Sequence, residues 1–230
     1  MQTQDIVEWL LKDFENVITD CHPKTLLPKF IKKKSKDTYQ FDEEEVDVSQ
    51  RDLYVIGFGK AGATMSEVAE NIFSDGIIKD GLVVCPKTTS DVKSIKLIYS
   101  SHPFVSDLSF ESAKRMLDFI SRIPDESIVL CFVSGGGSAL LALPETGITP
   151  KEKIDFFQYL LFQGLSEIEQ NIVRKSISLI KGGKLAQKLK NKKLINFVIM
   201  DNPYDYKALA SGPTFIPEDK KTAKQILIEN

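Results

Sequence analysis

Between residues 53 and 200 the chain alternates two kinds of hydrophobic pattern. Short, continuous apolar runs occupy 53–56, 81–85, 95–99, 128–133 and 194–200. They lack a polar residue at every second position, as expected for strands covered on both faces. Between several of them, over 61–73, 108–120, 151–162 and 166–189, apolar residues recur at the three- and four-residue spacing of a helix with one buried face. A last helical pattern covers 218–228. Strand and helix in alternation predict an α/β domain, a mostly parallel sheet with helices on both sides.

The first fifty residues follow another rule. Ile6, Val7, Leu10, Leu11, Phe14, Val17 and Ile18 lie at helical spacing behind Asp5, a candidate N-cap, and Pro23 and Pro28 end that pattern. Residues 32–50 are polar and charged, which predicts an exposed excursion. No internal repeat or linker divides the sequence, so residues 1–230 are expected to form one domain, with 1–50 as a helical and polar segment packed on it.

Composition narrows the function classes. An apolar fraction of 42% with 27% charge suits a soluble protein with a full core. A net charge of -2 and only short basic runs, at 32–34 and 190–193, argue against a nucleic-acid partner. No apolar run approaches the roughly 18 residues of a membrane span, and the N-terminus has no basic region ahead of an apolar stretch. A cytoplasmic location is expected, with no membrane partner. Cys21, Cys85 and Cys131 are far apart, so reduced thiols are expected rather than a metal cluster or disulfide framework.

Candidate chemistry sits where strands run out. The stretch LYVIGFGKAG places Gly57, Gly59 and Gly62 in a G-x-G-x-x-G pattern at the end of the 53–56 run. A dinucleotide site also needs an acidic residue about 20 positions on, at the next strand's end. Here that strand ends Val84-Cys85-Pro86-Lys87, although Lys87 and Thr88 keep a 2′-phosphate, and so an NADP reading, open. Lys60 points elsewhere, to phosphate handling, with an exposed helix-start lysine as the plain alternative. The loop is not of the G-x-x-x-x-G-K-[ST] type, which would require glycine in place of Tyr54 and Ser or Thr in place of Ala61.

A second glycine cluster, Ser134-Gly135-Gly136-Gly137-Ser138, follows the 128–133 run. Three glycines there predict a wide turn whose N–H groups converge on an anion, with both serines as extra donors. Ser138 is not a hydrolase nucleophile of the G-x-S-x-G kind: Leu140 stands where glycine is needed, and both histidines precede it. Further on, Arg174, Ser178 and Lys181 recur at i, i+4, i+7, one face of the helix predicted over 166–189. The last apolar run leads into Asp201-Asn202-Pro203-Tyr204-Asp205, then Ala210-Ser211-Gly212-Pro213-Thr214. A carboxylate such as Asp201 at a strand's carboxyl end suits Mg²⁺ or the orientation of a hydroxyl nucleophile.

Together these clusters resemble the glycerate 2-kinase family of bacteria and archaea. The matching segments, in the family's order, are VIGFGKAG, SHPFVSD, FVSGGGSALLALPETGIT, NIVRKSISLIKGGKLA and ALASGPT. The resemblance implies a Rossmann-like three-layer α/β/α sandwich and phosphorylation of glycerate to 2-phosphoglycerate with ATP and Mg²⁺. It makes Lys60 the catalytic lysine and Asp201 its acidic partner and Mg²⁺ ligand. It assigns Gly57, Gly59, Ser134, Gly135, Gly136, Gly137, Ser138, Lys181, Ser211 and Gly212 to the nucleotide and its phosphates, and His102 and Arg174 to the substrate.

Two departures bear on this. The family reads closer to D-V-P-G-D where this chain has Asp201-Asn202-Pro203-Tyr204-Asp205. Members are also about twice as long, with a second, C-terminal domain that closes the cleft. A separate polypeptide supplying that domain, or a homo-oligomer, is therefore an expected partner. Two alternatives stay open: a non-catalytic nucleotide- or phosphate-binding module, and an NADP-dependent hydroxypyruvate reductase.

Overall fold

A computed structural model of the protein describes residues 3–200, 205–216 and 222–229. The strands β4 (Leu53–Phe58), β5 (Ile78–Cys85), β6 (Ile95–Tyr99), β7 (Ile128–Ser134) and β8 (Lys193–Ile199) form one sheet in the order β6-β5-β4-β7-β8, all parallel. The α/β fold expected from the continuous apolar runs is therefore present. β7 is buried at all seven positions, as a central strand sandwiched between helices must be.

Each face of the sheet has its own core. On one, Ile56, Phe58, Cys131 and Val133 pack with Met116 and Phe119 of α4 (Asp107–Arg122). On the other, Val55, Leu130 and Phe132 pack with Met65 and Val68 of α3 (Gly62–Ile72). Several helices start at capping boxes in their sequences, whereas α3 and the single turn α5 (Gly137–Leu140) start without a side-chain cap. Ser106 and Ser109 close a capping box at α4. Thr149 with Glu152 does so at α6 (Pro150–Leu161), and Ser166 with Glu169 at α7 (Glu167–Ser176). A last helix, α9 (Ala223–Glu229), packs on α7, and Ile226 is buried there. No helix among the described residues is long and apolar enough to cross a membrane.

The N-terminal region departs most from its sequence pattern. α1 (Thr3–Cys21) begins ahead of its expected cap, so Asp5 lies in its first turn, and it ends just before Pro23. Its apolar stripe stays open: Trp9, Leu11 and Phe14 are more than half exposed. Pro23 opens a second helix, α2 (Pro23–Phe30), that contains Pro28 instead of stopping before it. Residues 32–50 are not an exposed excursion. They supply most of an antiparallel sheet of β1 (Ile31–Lys33), β2 (Thr38–Phe41) and β3 (Glu44–Asp47). Its inner face presents Tyr39, Phe41 and Val46 to α3 and β8. Tyr39 is fully buried, its ring 4.5 Å from Phe73, and its hydroxyl accepts from the Ser74 N–H at 3.2 Å.

The pattern over 166–189 is interrupted as well. α7 stops at Ser176, Gly182 (φ 61°) and Gly183 (φ 77°) take left-handed conformations, and a short helix α8 (Lys184–Lys188) follows. Left-handed backbone cannot continue a right-handed helix, and paired glycines adopt it without a Cβ penalty.

Candidate phosphate-binding site

From β4 the chain winds outward to β5 and β6, then returns to place β7 and β8 on the other side. The carboxyl ends of β4 and β7 are thus the topological switch point, where open parallel sheets present a crevice to ligands. Both glycine clusters arrive there. Lys60 N–H donates to Gly135 O at 2.8 Å, and Ala61 N–H donates to Ser134 Oγ at 3.0 Å. Ser134, only 2% exposed, therefore uses its hydroxyl to join the two loops. Gly57 works inside the sheet: a Cβ there would lie 3.0 Å from Phe132 O and 3.1 Å from Phe132 Cβ.

Above these loops lies a cavity of about 390 Å³, and Lys60, Gly135, Gly136, Ser138, Asn171 and Arg174 are among its walls. His102 packs against Gly136 of that wall, where a Cβ would stand 2.8–2.9 Å from the imidazole and 3.1 Å from Lys60 Cγ. The wall formed by the 3₁₀ turn Tyr206–Ser211 is unusual in its backbone. Ala210, Ser211 and Gly212 all have positive φ, at 55°, 63° and 58°. Two successive non-glycine residues in that region cost about 1–2 kcal/mol each, so the surrounding structure must hold them. Ser211 is fully buried, and its Oγ donates to Asn171 Oδ1 at 2.9 Å and lies 3.0 Å from Ser138 Oγ. Lys181 Nζ donates to Ala210 O at 3.2 Å from beneath the turn.

The helical face expected to align Arg174, Ser178 and Lys181 does not exist, because α7 ends between them. They converge by a turn instead. Ser178 bridges to Pro144, Lys181 passes under Ala210, and Arg174 faces the cavity from α7. Lys153 of α6 was not legible as part of this group. It is fully buried and donates to Ile177 O at 2.7 Å and Leu143 O at 3.2 Å, its ammonium 5.1 Å from the Phe157 ring centre.

Buried basic side chains accumulate behind the cavity. Burial, with the nearby charges of Lys153 and Arg174, pushes the Lys181 ammonium well below its usual range. Burial holds Arg174 down as well; its guanidinium lies 5.2 Å from the Phe157 ring and donates to Gln170 Oε1 at 2.9 Å. Arg174 Nε is buried without a partner among the described residues. Lys153 falls to about 8, chiefly through burial and then through Lys184, with Glu145 opposing.

A lysine whose folded pKa lies below its unfolded value weakens the fold below the folded pKa. That penalty is relieved as pH rises toward the unfolded value near 10.4. Between pH 8 and 10, stability relative to Lys153→Met is therefore expected to rise by about 2 kcal/mol. Parallel urea melts of the two proteins at each pH measure this; equal pH slopes would show that Lys153 does not titrate in that window.

Among the described residues no three His, Cys, Asp or Glu side chains group as a metal centre. Mg²⁺ does not need such a cage, since it is commonly held by one or two carboxylates together with substrate phosphates. Glu167 and Asp205 on the cavity wall fit that pattern. Asp201, the expected acidic partner, lies outside the described residues.

Residues 9–229 match the family model described as Domain of unknown function (DUF4147). The chain belongs to this family. Its curated relatives include a glycerate 2-kinase of Picrophilus torridus, 30% identical over 89% of this chain and 47% of that protein. A glycerate 2-kinase of Pyrococcus horikoshii is 38% identical over 76% of this chain and 40% of its own length. A putative hydroxypyruvate reductase of Agrobacterium vitis is 37% identical over 70% of this chain and 42% of that protein. The crystal structure of a Pyrococcus horikoshii OT3 protein superposes with a TM-score of 0.81 at 33% identity, covering 100% of this chain and 52% of that one. These matches bear out the resemblance to glycerate 2-kinases seen in the motifs. This DUF4147 chain spans about half the length of the relatives it matches.

Proposed function

We propose that the chain forms the phosphate-handling half of a glycerate 2-kinase, converting glycerate and ATP to 2-phosphoglycerate and ADP once a second folded unit completes the cleft. One observation carries this reading: Lys60, the Gly135–Gly136 loop and Arg174 meet at one cavity, with His102 packed against Gly136 and the buried Lys181 beneath the Ala210 turn. Phosphoryl transfer depends on positioning and charge neutralisation more than on covalent chemistry. In this reading Lys60 neutralises the transferring phosphoryl oxygens, and the loop N–H groups orient the neighbouring phosphates. Arg174 and His102 hold the glycerate, and Asp201 accepts the C2 hydroxyl proton. Mg²⁺ supplies further neutralisation of the phosphates when bound, and Asp201, Glu167 and Asp205 are the carboxylates that would hold it. The cytoplasm, where ATP is plentiful, suits the free thiols Cys21, Cys85 and Cys131.

A second reading rests on the hydroxypyruvate reductase relative. One set of assays separates the possibilities: glycerate with Mg²⁺-ATP, and hydroxypyruvate with NADPH. Each uses the chain alone and the chain mixed with the product of the adjacent gene. ADP and 2-phosphoglycerate in stoichiometric amounts are expected from the mixture. NADPH oxidation without ADP formation would replace the kinase with the reductase. Nucleotide binding without turnover in any mixture would leave a binding module only.

A further inference from the structure

A second cavity, of about 310 Å³, lies beside the first and shares Ser138 and Arg174 with it. Its remaining walls are largely apolar, with Phe104 and Val105 ahead of α4 and Ile154, Phe157 and Leu161 on α6. Phe104 is 67% exposed and Leu161 is half exposed, so core packing does not account for their placement. Apolar surface joined to a cation-lined cavity suits a ligand with an apolar part and an anionic part. Glycerate has no apolar part. A nucleoside triphosphate has both: a flat base that stacks on aromatic and apolar side chains, and a chain of phosphates.

Two polar groups fit that layout. Gln158 stands among the lining residues of the apolar cavity, and a carboxamide offers the donor and acceptor pair that matches an adenine edge. Arg174 lines both cavities, with its buried Nε lacking a partner among the described residues. A buried donor of this kind is satisfied by an anion passing from one cavity to the other.

We propose that the apolar cavity is the purine subsite of the nucleotide: the base lies against Phe104 and Leu161 with Gln158 at its edge, and the phosphates pass Arg174 and Ser138 toward the Gly135–Gly136 loop and Lys60. This rests on the kinase reading and adds to it the position of the base, with Arg174 standing between the phosphates and the glycerate it holds.

Calorimetric titration of the full chain with ADP and with pyrophosphate, each with Mg²⁺, tests it, because pyrophosphate has the two phosphates without the ribose and the base. ADP is expected to bind the unsubstituted chain more tightly than pyrophosphate does. Phe104→Ala is expected to weaken ADP by about tenfold or more and to leave pyrophosphate unchanged, since base–aromatic stacking accounts for that much affinity. Leu161→Glu, also at an exposed position, should repeat the pattern and guard against a folding artefact in one variant. Unchanged ADP affinity in both variants, or equal losses of ADP and pyrophosphate, overturns the purine subsite and leaves the kinase reading standing. No binding of either ligand to the unsubstituted chain, both alone and in the mixture that supports turnover, overturns both.

Discussion

Lys60→Ala is expected to lower the initial rate of ADP formation from glycerate and ATP by at least about a hundredfold, in the mixture that supports turnover. The Lys60 side chain is exposed at the cavity, while its backbone N–H holds Gly135 O. The substitution therefore removes the ammonium and leaves the loop-to-loop hydrogen bond in place. Removing one donor aimed at charge that develops in a transition state costs roughly 10²–10³ in rate, or about 2.7–4 kcal/mol. Surface substitutions away from core packing generally change stability by less than about 0.5 kcal/mol, so thermal melts should nearly coincide. Lys60→Arg should recover only part of the loss. A guanidinium keeps the charge but presents a planar fork where the site holds a compact ammonium. A decrease below threefold in Lys60→Ala would remove this lysine from the chemistry without disturbing the fold.

Lys60 was visible in the sequence because a lysine inside a glycine-rich strand end has few structural reasons to be there. The sheet was visible for a similar reason. Runs such as Ile128–Ser134 carry no polar interruption, and only a doubly covered strand tolerates that. The failures have a common physical origin, since each concerns contacts that no local spacing encodes. In Thr38–Phe41 only Tyr39 and Phe41 face the core, and two apolar residues among many charges do not register as a strand. Spacing alone suggested a helical face for Arg174, Ser178 and Lys181. The helix instead stops at Ser176, between Arg174 and Ser178, and the left-handed Gly182-Gly183 pair follows only after all three residues. The link from Ser138 through Ser211 to Asn171 joins residues 73 and 40 positions apart. Lys153 is held by two main-chain carbonyls, on Leu143 and Ile177, which leave no trace in residue type. Half of the candidate site could thus be read from strand ends, and the half that braces it is tertiary.

Three glycines with positive φ are expected to respond very differently to alanine, because their surroundings differ more than their backbones do. At Gly147 (φ 89°) nothing lies within 4 Å of an added Cβ, so Gly147→Ala should cost only the left-handed strain of about 1–2 kcal/mol. At Gly136 (φ 88°) the Cβ would meet the His102 ring and Lys60 Cγ, side-chain atoms that can rotate away. Gly136→Ala should therefore fold nearly as well as Gly147→Ala. It should still weaken pyrophosphate binding by about tenfold, a loss of about 1.4 kcal/mol, by moving Lys60 at the cavity and the His102 ring packed against its wall. At Gly59 (φ 135°) the Cβ would sit 2.5 Å from Ser134 O and 2.8 Å from its carbonyl carbon, and main chain cannot step aside. Relief would require the β4 and β7 ends to separate, breaking the bonds from Lys60 to Gly135 and from Ala61 to Ser134. Backbone strain and overpacking together should then cost on the order of 3–5 kcal/mol, enough to unfold a marginally stable domain at physiological temperature. Urea melts and pyrophosphate titrations of the three variants give the comparison. Equal stability losses at Gly59 and Gly147 would mean that the two loops are not packed against each other, and the cavity they support would then lack its floor.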